Sequence, residues 1–237
     1  MPYQFSVSTV FSGIPPQGLM RNGLTRWQRL LYREGCRRDA RLVTEQTALN
    51  RGSRILDIGF GTGRLGQGIV DTLGTVRNYT GIEVSRPHVE WCREQFKAHS
   101  FMQFIEVEMH NERYRPHGST VRAPLPLPNS AFDIACLFSV FTHLLPNDIE
   151  FYLGELARVL EGEGRVIFTL YQDNASPDFS VNPKNAFGPY EASPLHRVRY
   201  NRHFLAEKIR RHGFTVLRSD RQWLQNQDLV VMKRSAH

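Results

Sequence analysis

Apolar residues recur at three- and four-residue intervals late in the chain: Ile149, Tyr152, Leu153, Leu156, Val159 and Leu160. That spacing places them on one face of a helix, and Pro146 and Asn147 mark its start. Other apolar positions fall in short unbroken runs, as strands buried on both faces require. "SRILDIG" (53–59), "YTGIEVS" (79–85), "FMQFIEV" (101–107), "FDIACLFS" (132–139) and "RVIFTLY" (165–171) predict five strands. Helices are expected over 63–73 and from Pro87 to about His99, and "GEG" (162–164) predicts a turn. A helix over 201–213 stops at Gly213, and strands over 214–220 and 228–234 close the chain.

The remaining segments are less regular. Residues 1–24 carry Gly13, Pro15, Pro16, Gly18 and Gly23 and read as an irregular arm. From Thr25, a plausible N-cap, to Asn50 the pattern is helical, with Gly35 as a weak point. Residues 108–130 and 172–199 read as loops. The second is long for a compact domain, and loops of that length commonly serve as lids or binding loops.

Alternating strands and helices predict an α/β fold: a doubly wound, seven-stranded, mostly parallel sheet with helices on both faces. Ligands of such sheets sit beyond the carboxyl ends of the strands, where strand order reverses. The domain reading is an N-terminal arm and helix over 1–50, then a ligand-binding domain over 51–237 with a lid loop at 172–199.

Composition narrows this picture. The chain of 237 residues is long enough for one full core. No apolar run approaches the roughly 20 residues that span a bilayer. The first residues lack the basic and apolar blocks of a signal peptide. Cys36, Cys92 and Cys136 are far apart and form no C-x-x-C, which favours a reducing cytoplasm over a disulfide framework or a zinc ribbon. The spacing of His110 and His117 fits no common metal site, so no metal is expected. The net charge of +7 is carried mainly by arginine. Arg26, Arg29, Arg33, Arg37 and Arg41 share one helix face. Such a face binds nucleic acid or is simply solvated and supported by Glu34; the second is the expectation.

The chemistry centres on "ILDIGFGTGRLG" (55–66). Gly59, Gly61 and Gly63 read G-x-G-x-G; Gly61, Gly63 and Gly66 read G-x-G-x-x-G, the dinucleotide fingerprint. Both patterns let backbone approach a ligand. Both need an acid near the end of the second strand for ribose hydroxyls, and Glu83 supplies it. Asp57 tilts the balance. A pyrophosphate wants a helix N-terminus free of carboxylates, whereas a cationic ligand tolerates Asp57.

From "SRILDIG" to the last strand the sequence resembles the class I methyltransferases dependent on S-adenosylmethionine (SAM). The likeness rests on "ILDIGFGTGRLG", "YTGIEVS", "FIEVEM", "FDIACLFSVFTHL" and "ELARVLEGEGRVIFTLY". Glu161-Gly162-Glu163-Gly164 departs from the family's Lys-Pro-Gly-Gly-type turn. The resemblance implies a Rossmann-like sheet with its last strand antiparallel, and an N-terminal segment that covers the site, with Arg21, Asn22 and Trp27 as candidate contributors. It implies SAM as cofactor and S-adenosylhomocysteine as product. Gly59, Gly61 and Gly63 would line the methionine end, with Asp57 near its ammonium. Glu83 would take the ribose hydroxyls, and Val84 would pack on the adenine. Glu108 and Met109 would flank the adenine, while Phe138 and Ser139 border the sulfonium.

An oxygen acceptor needs a base. His143, just past the fourth strand, is the candidate; its alternative role is to pack beside the next helix. Tyr171 and His196 are candidate substrate contacts. The fourth strand ends in Leu137-Phe138-Ser139-Val140 and lacks the Asp/Asn-Pro-Pro-aromatic motif of enzymes that methylate base amino groups. A small-molecule or sugar hydroxyl is therefore the expected acceptor. The competing readings are a nucleic-acid methyltransferase using the arginine face and a non-catalytic SAM or nucleotide sensor. Oligomeric state is open.

Overall fold

The computed structural model describes residues 13–20, 31–109, 117, 122–183, 197–224 and 227–235. The described chain runs through a 3-10 turn (Gln17–Leu19), α1 (Tyr32–Thr47), β1 (Arg54–Ile58), α2 (Arg64–Leu73), β2 (Asn78–Glu83), α3 (Arg86–Gln95) and β3 (Met102–Glu106). After β4 (Phe132–Leu137) come a second 3-10 turn (Phe141–His143), α4 (Pro146–Val159) and β5 (Leu160–Asp173). The rest is β6 (Phe179–Val181), β7 (Val198–Asn201), α5 (Arg202–Arg211), β8 (Phe214–Leu224) and β9 (Gln227–Arg234).

Strands β3, β2, β1, β4 and β5 lie side by side and parallel. Beyond β5 the antiparallel β9 is inserted, and β8 pairs with it at the edge. These seven strands are the sheet expected from the sequence, with the last strand antiparallel. The order reverses between β1 and β4, so the carboxyl ends of those strands frame a crevice. One face carries α1, α2 and α3, whose Val43, Ile69 and Val89 pack on Ile55, Ile134 and Ile167. The other carries α4 and α5, whose Leu153, Leu156 and Leu205 pack on Leu56, Leu137 and Phe168.

The structure departs from the sequence expectation in two places. The predicted turn at 162–164 is a bulge inside β5. Phe132 pairs with Leu160 but Ile134 with Arg165, so extra residues of β5 loop out between the two pairings. The segment read as one irregular loop over 172–199 contains β6 and β7. They extend the far end of β5: Tyr171, Gln172 and Asp173 pair with Arg199, Tyr200 and Asn201, and β6 pairs with β7. Among the described residues the sheet thus has nine strands.

The arginine face of α1 is partly exposed and paired with carboxylates: Arg41 is exposed and lies 3.3 Å from Glu34. Arg33 forms an ion pair with Asp71 on α2, and Arg37 reaches the same carboxylate at 3.4 Å. Those guanidinium charges hold Asp71 below its usual range against the opposing effect of burial. The helices meet closely because Gly68 has no side chain: a Cβ there would lie 2.0 Å from the Cys36 carbonyl oxygen. Arg26 and Arg29 lie outside the described residues. No described helix is long and apolar enough to cross a membrane.

Candidate cofactor and acceptor site

β1 ends at Ile58 and the chain turns through three glycines in the left-handed region: Gly59 (φ +70°), Gly61 (φ +53°) and Gly63 (φ +77°). L side chains are strained there, so glycine is the residue the turn requires. The Gly59 N–H donates to the Ile82 carbonyl at 2.8 Å, tying the turn to the end of β2. A Cβ on Gly59 would meet Val140 Cγ2 at 2.6 Å, and one on Gly63 would meet the Phe96 ring at 2.7 Å. A Cβ on Gly61 would meet nothing within 4 Å, so the middle of the turn faces open space. Gly66 differs in kind. It sits in the first turn of α2, where a Cβ would contact Met102 Cε at 3.0 Å and Tyr79 Oη at 3.3 Å. Its smallness seats α2 on β2 and β3.

Glu83 ends β2 and leans toward that turn. Its carboxylate accepts from the backbone N–H groups of Gly61 (3.0 Å), Val84 (2.8 Å) and Ser85 (3.1 Å). Val84 and Met109 are half-buried and pack on the cluster beneath α4. The Tyr152 hydroxyl donates to Met109 Sδ at 3.6 Å, and Glu108 is exposed. The ends of β1, β2 and β3 therefore carry a glycine turn, a carboxylate and an apolar margin in one row.

Asp57 lies one residue inside the end of β1 and is only 3% exposed. The Tyr79 hydroxyl donates to its Oδ2. Burial pushes the Asp57 carboxyl up to about 7, with Glu83 and Asp39 adding to the rise while the tyrosine bond opposes it. Asp57 is thus a buried support beneath the turn, sharing a hydrogen bond with Tyr79.

Across the crevice β4 ends in Phe138-Ser139-Val140. Phe138 is half-buried and packs on the cluster that holds Ile134 and Cys136. Ser139 has φ +58°, a strained value for a residue with a side chain. Three partners hold it. Its N–H donates to Thr169 Oγ1 at 2.8 Å. Its Oγ lies 3.1 Å from Oε1 and 3.0 Å from Nε2 of Gln227. Its carbonyl accepts from Thr142 Oγ1 at 2.9 Å. His143 closes the 3-10 turn that follows; its backbone N–H donates to the Val140 carbonyl at 3.1 Å, and the residue is 7% exposed. Tyr171 is half-buried near the end of β5, with the Arg197 guanidinium 5.3 Å from its ring centre. His196 and His110 lie outside the described residues, as do Arg21, Asn22 and Trp27. The described ends of the N-terminal segment reach α3 and the glycine turn. The Leu19 carbonyl lies 3.1 Å from His88 Nε2, next to Ser85, and the Tyr32 hydroxyl lies 3.1 Å from Thr62 Oγ1.

The sequence reading missed Thr169, Gln227, Tyr79 and Arg197. Thr169 and Tyr79 sit in apolar runs that read as plain strand core. Gln227 follows a polar stretch of sequence and carries no periodic signal. Its pairing with Ser139 joins residues 88 apart. Among the described residues no group of His, Cys, Asp and Glu could hold a metal ion.

The open cradle over Gly61 and the Glu83 carboxylate fit a ribose-bearing cationic ligand, and the carboxylates in this row do not suit a pyrophosphate. Several known proteins similar in sequence or fold are methyltransferases. Residues 56–168 match the family described as "Methyltransferase domain". An O-methyltransferase of Pyrenophora dematioidea is 33% identical over 128 residues, which are 54% of this chain and 43% of that protein. The chain thus spans less than half the length of that relative. A putative sarcosine dimethylglycine methyltransferase from Galdieria sulphuraria superposes with TM-score 0.63 at 14% identity, covering 90% of this chain and 87% of the other. The 1,6-didemethyltoxoflavin-N1-methyltransferase of Burkholderia thailandensis, with 1,6-didemethyltoxoflavin and S-adenosylhomocysteine bound, superposes with TM-score 0.57 at 17% identity over 85% of this chain and 78% of that one. These likenesses carry the fold. With the family match they place residues 56–168 in a fold similar to that of class I methyltransferases.

Proposed function

We propose that this protein transfers the methyl group of SAM to a hydroxyl of a small molecule or sugar. The observation that carries the reading is the pairing of two strand ends. Glu83 faces the open glycine turn on one side of the crevice. On the other, a strained Ser139 is held by Thr169 and Gln227. The 33% identity to an O-methyltransferase supports an oxygen acceptor.

SAM supplies an electrophilic methyl on a cationic sulfur. In this reading Gly59, Gly61 and Gly63 pass the methionine end, with Asp57 beneath them. Glu83 accepts from the ribose hydroxyls, Val84 and Met109 pack on the adenine, and Glu108 stands beside it. Phe138 and Ser139 border the sulfur. His143 takes the proton from the acceptor hydroxyl as its oxygen attacks the methyl carbon, and the carbon–sulfur bond electrons leave with sulfur. Alignment of oxygen, carbon and sulfur, with water excluded, supplies much of the acceleration. In this reading the N-terminal arm ahead of α1 covers the site, and the segment around β6 and β7 is its lid. Tyr171 and His196 belong to the acceptor side. The pairing of Arg33 and Arg37 with Asp71, and of Arg41 with Glu34, commits these charges within the chain and favours a small-molecule acceptor over nucleic acid. The three buried free thiols, Cys36, Cys92 and Cys136, suit a reducing cytoplasm.

The test is release of S-adenosylhomocysteine over a panel of hydroxylated small molecules, with wild type and His143→Gln. Turnover should fall about 100-fold or more in the variant, the usual contribution of a general base, while SAM affinity is retained. Full turnover in His143→Gln would remove the histidine as base. Methylation of amines in preference to matched alcohols would remove the oxygen acceptor.

A further inference from the structure

The extension at the end of β5 has one face whose polar groups are only partly paired among the described residues. Side chains alternate along a strand, so Ile167, Thr169 and Tyr171 point to one side. Thr169 is the residue that holds Ser139. Tyr171 therefore stands about 7 Å further along the same face, the advance of two strand residues. Its cross-strand neighbour is Arg199 on β7, and the neighbour of Arg199 is Ser180 on β6. Directly paired residues share a face. Arg197, two positions before Arg199, joins the row and lies over the Tyr171 ring. The opposite face is accounted for, since Val198 and Tyr200 belong to the core beneath α4 and α5.

The polar groups of this row are incompletely used. Arg199 is committed to Asp173 at 3.4 Å. The Arg197 guanidinium has no carboxylate within 4.0 Å among the described residues, and its contact is with the Tyr171 ring. The Ser180 hydroxyl is buried and has no hydrogen-bond partner among the described residues. An arginine stacked on an aromatic ring is held in position with its forked donors still free. Such a donor set matches a planar or tetrahedral oxyanion.

We propose that Tyr171, Arg197 and Ser180 form an acceptor subsite for an oxyanion, so that the methyl acceptor carries a carboxylate or phosphate besides its reacting hydroxyl. The inference rests on the methyltransferase reading above. Arg197 supplies the charge and Ser180 a neutral donor, while the Tyr171 ring holds the guanidinium. The anchor lies along the strand from Thr169, and this separation selects acceptors whose anionic group is several bonds from the hydroxyl.

The experiment uses the full chain with SAM and matched acceptors: hydroxy-carboxylates against their carboxamides, and hydroxylated phosphate monoesters against the parent alcohols. SAM affinity is measured separately by calorimetry. Anionic members should show kcat/KM at least tenfold above their neutral partners, mainly through KM. The pair with the larger ratio identifies carboxylate or phosphate as the recognised group. Arg197→Gln should erase the ratio while SAM affinity and Tm stay at wild-type values, and Arg197→Lys should restore part of it. Equal rates within both pairs, no turnover of any anionic member, or a ratio that survives Arg197→Gln would overturn the subsite. Absence of SAM binding would instead overturn the methyltransferase reading, and the subsite with it.

Discussion

The two sides of the crevice are built by different means. On the β1–β2 side, geometry is set by backbone: three left-handed glycines and a carboxylate holding three N–H groups. All of this lies between residues 57 and 85, within one strand–helix–strand unit. On the β4–β5 side, geometry depends on side chains brought from far apart. Ser139 is clasped by Thr169 and Gln227, and Tyr171 is covered by Arg197. A backbone-built half suits a cofactor that never changes. A half made of long-range side-chain contacts can be altered by single substitutions, as acceptor choice requires.

The largest effect that sharpens this contrast is expected at Gly59. Gly59→Ala combines a left-handed φ with a Cβ 2.6 Å from Val140. It should abolish SAM binding by calorimetry, about 100-fold or more by the size of comparable backbone clashes. Gly61→Ala has the strained φ but open space and should lose less. Equal losses would mean that strain alone governs the turn.

Next comes the buried pair beneath the turn. The Asp57 carboxyl is raised to about 7 by burial, far above its unfolded value of 3.8. The folded protein therefore binds the extra proton between those pH values, and Asp57 lowers stability as pH rises through that window. Asp57→Asn removes the titration. Its Tm relative to wild type should climb from pH 5 to pH 7, by the equivalent of up to a few kcal/mol, and level off above. A difference independent of pH would show that Asp57 is already ionised in the fold.

A smaller effect is expected across the crevice. Gln227→Ala removes the clasp on Ser139. Loss of one such hydrogen bond, about 1 kcal/mol, should raise KM for SAM severalfold and leave the far-UV spectrum unchanged. A purely structural Gln227 would lower Tm without moving KM.

The same contrast explains what the sequence revealed. Strands β1 to β4, the helices between them and the glycine turn are legible because their signals are local: an apolar run, a glycine at the strand end, an acid at the next strand end. Asp57 marks where β1 ends, and Gly66 fills the expected packing role against Tyr79 and Met102. The bulge at Gly162 was hidden because glycines between apolar runs signal a turn and a bulge alike. Strands β6 and β7 were hidden by their shortness, 3 and 4 residues, and by the prolines around them. Gln227 and Arg197 could not be found because nothing in their own neighbourhoods points to Ser139 or Tyr171.

The most direct test of the central claim is calorimetry of the unliganded protein with SAM, S-adenosylhomocysteine and NAD, repeated on Glu83→Ala. The account predicts saturable binding of the first two, none of NAD, and at least a tenfold loss of affinity in the variant, as removal of a charged hydrogen-bond acceptor implies. Binding of NAD without SAM, or SAM binding untouched by loss of Glu83, would contradict it.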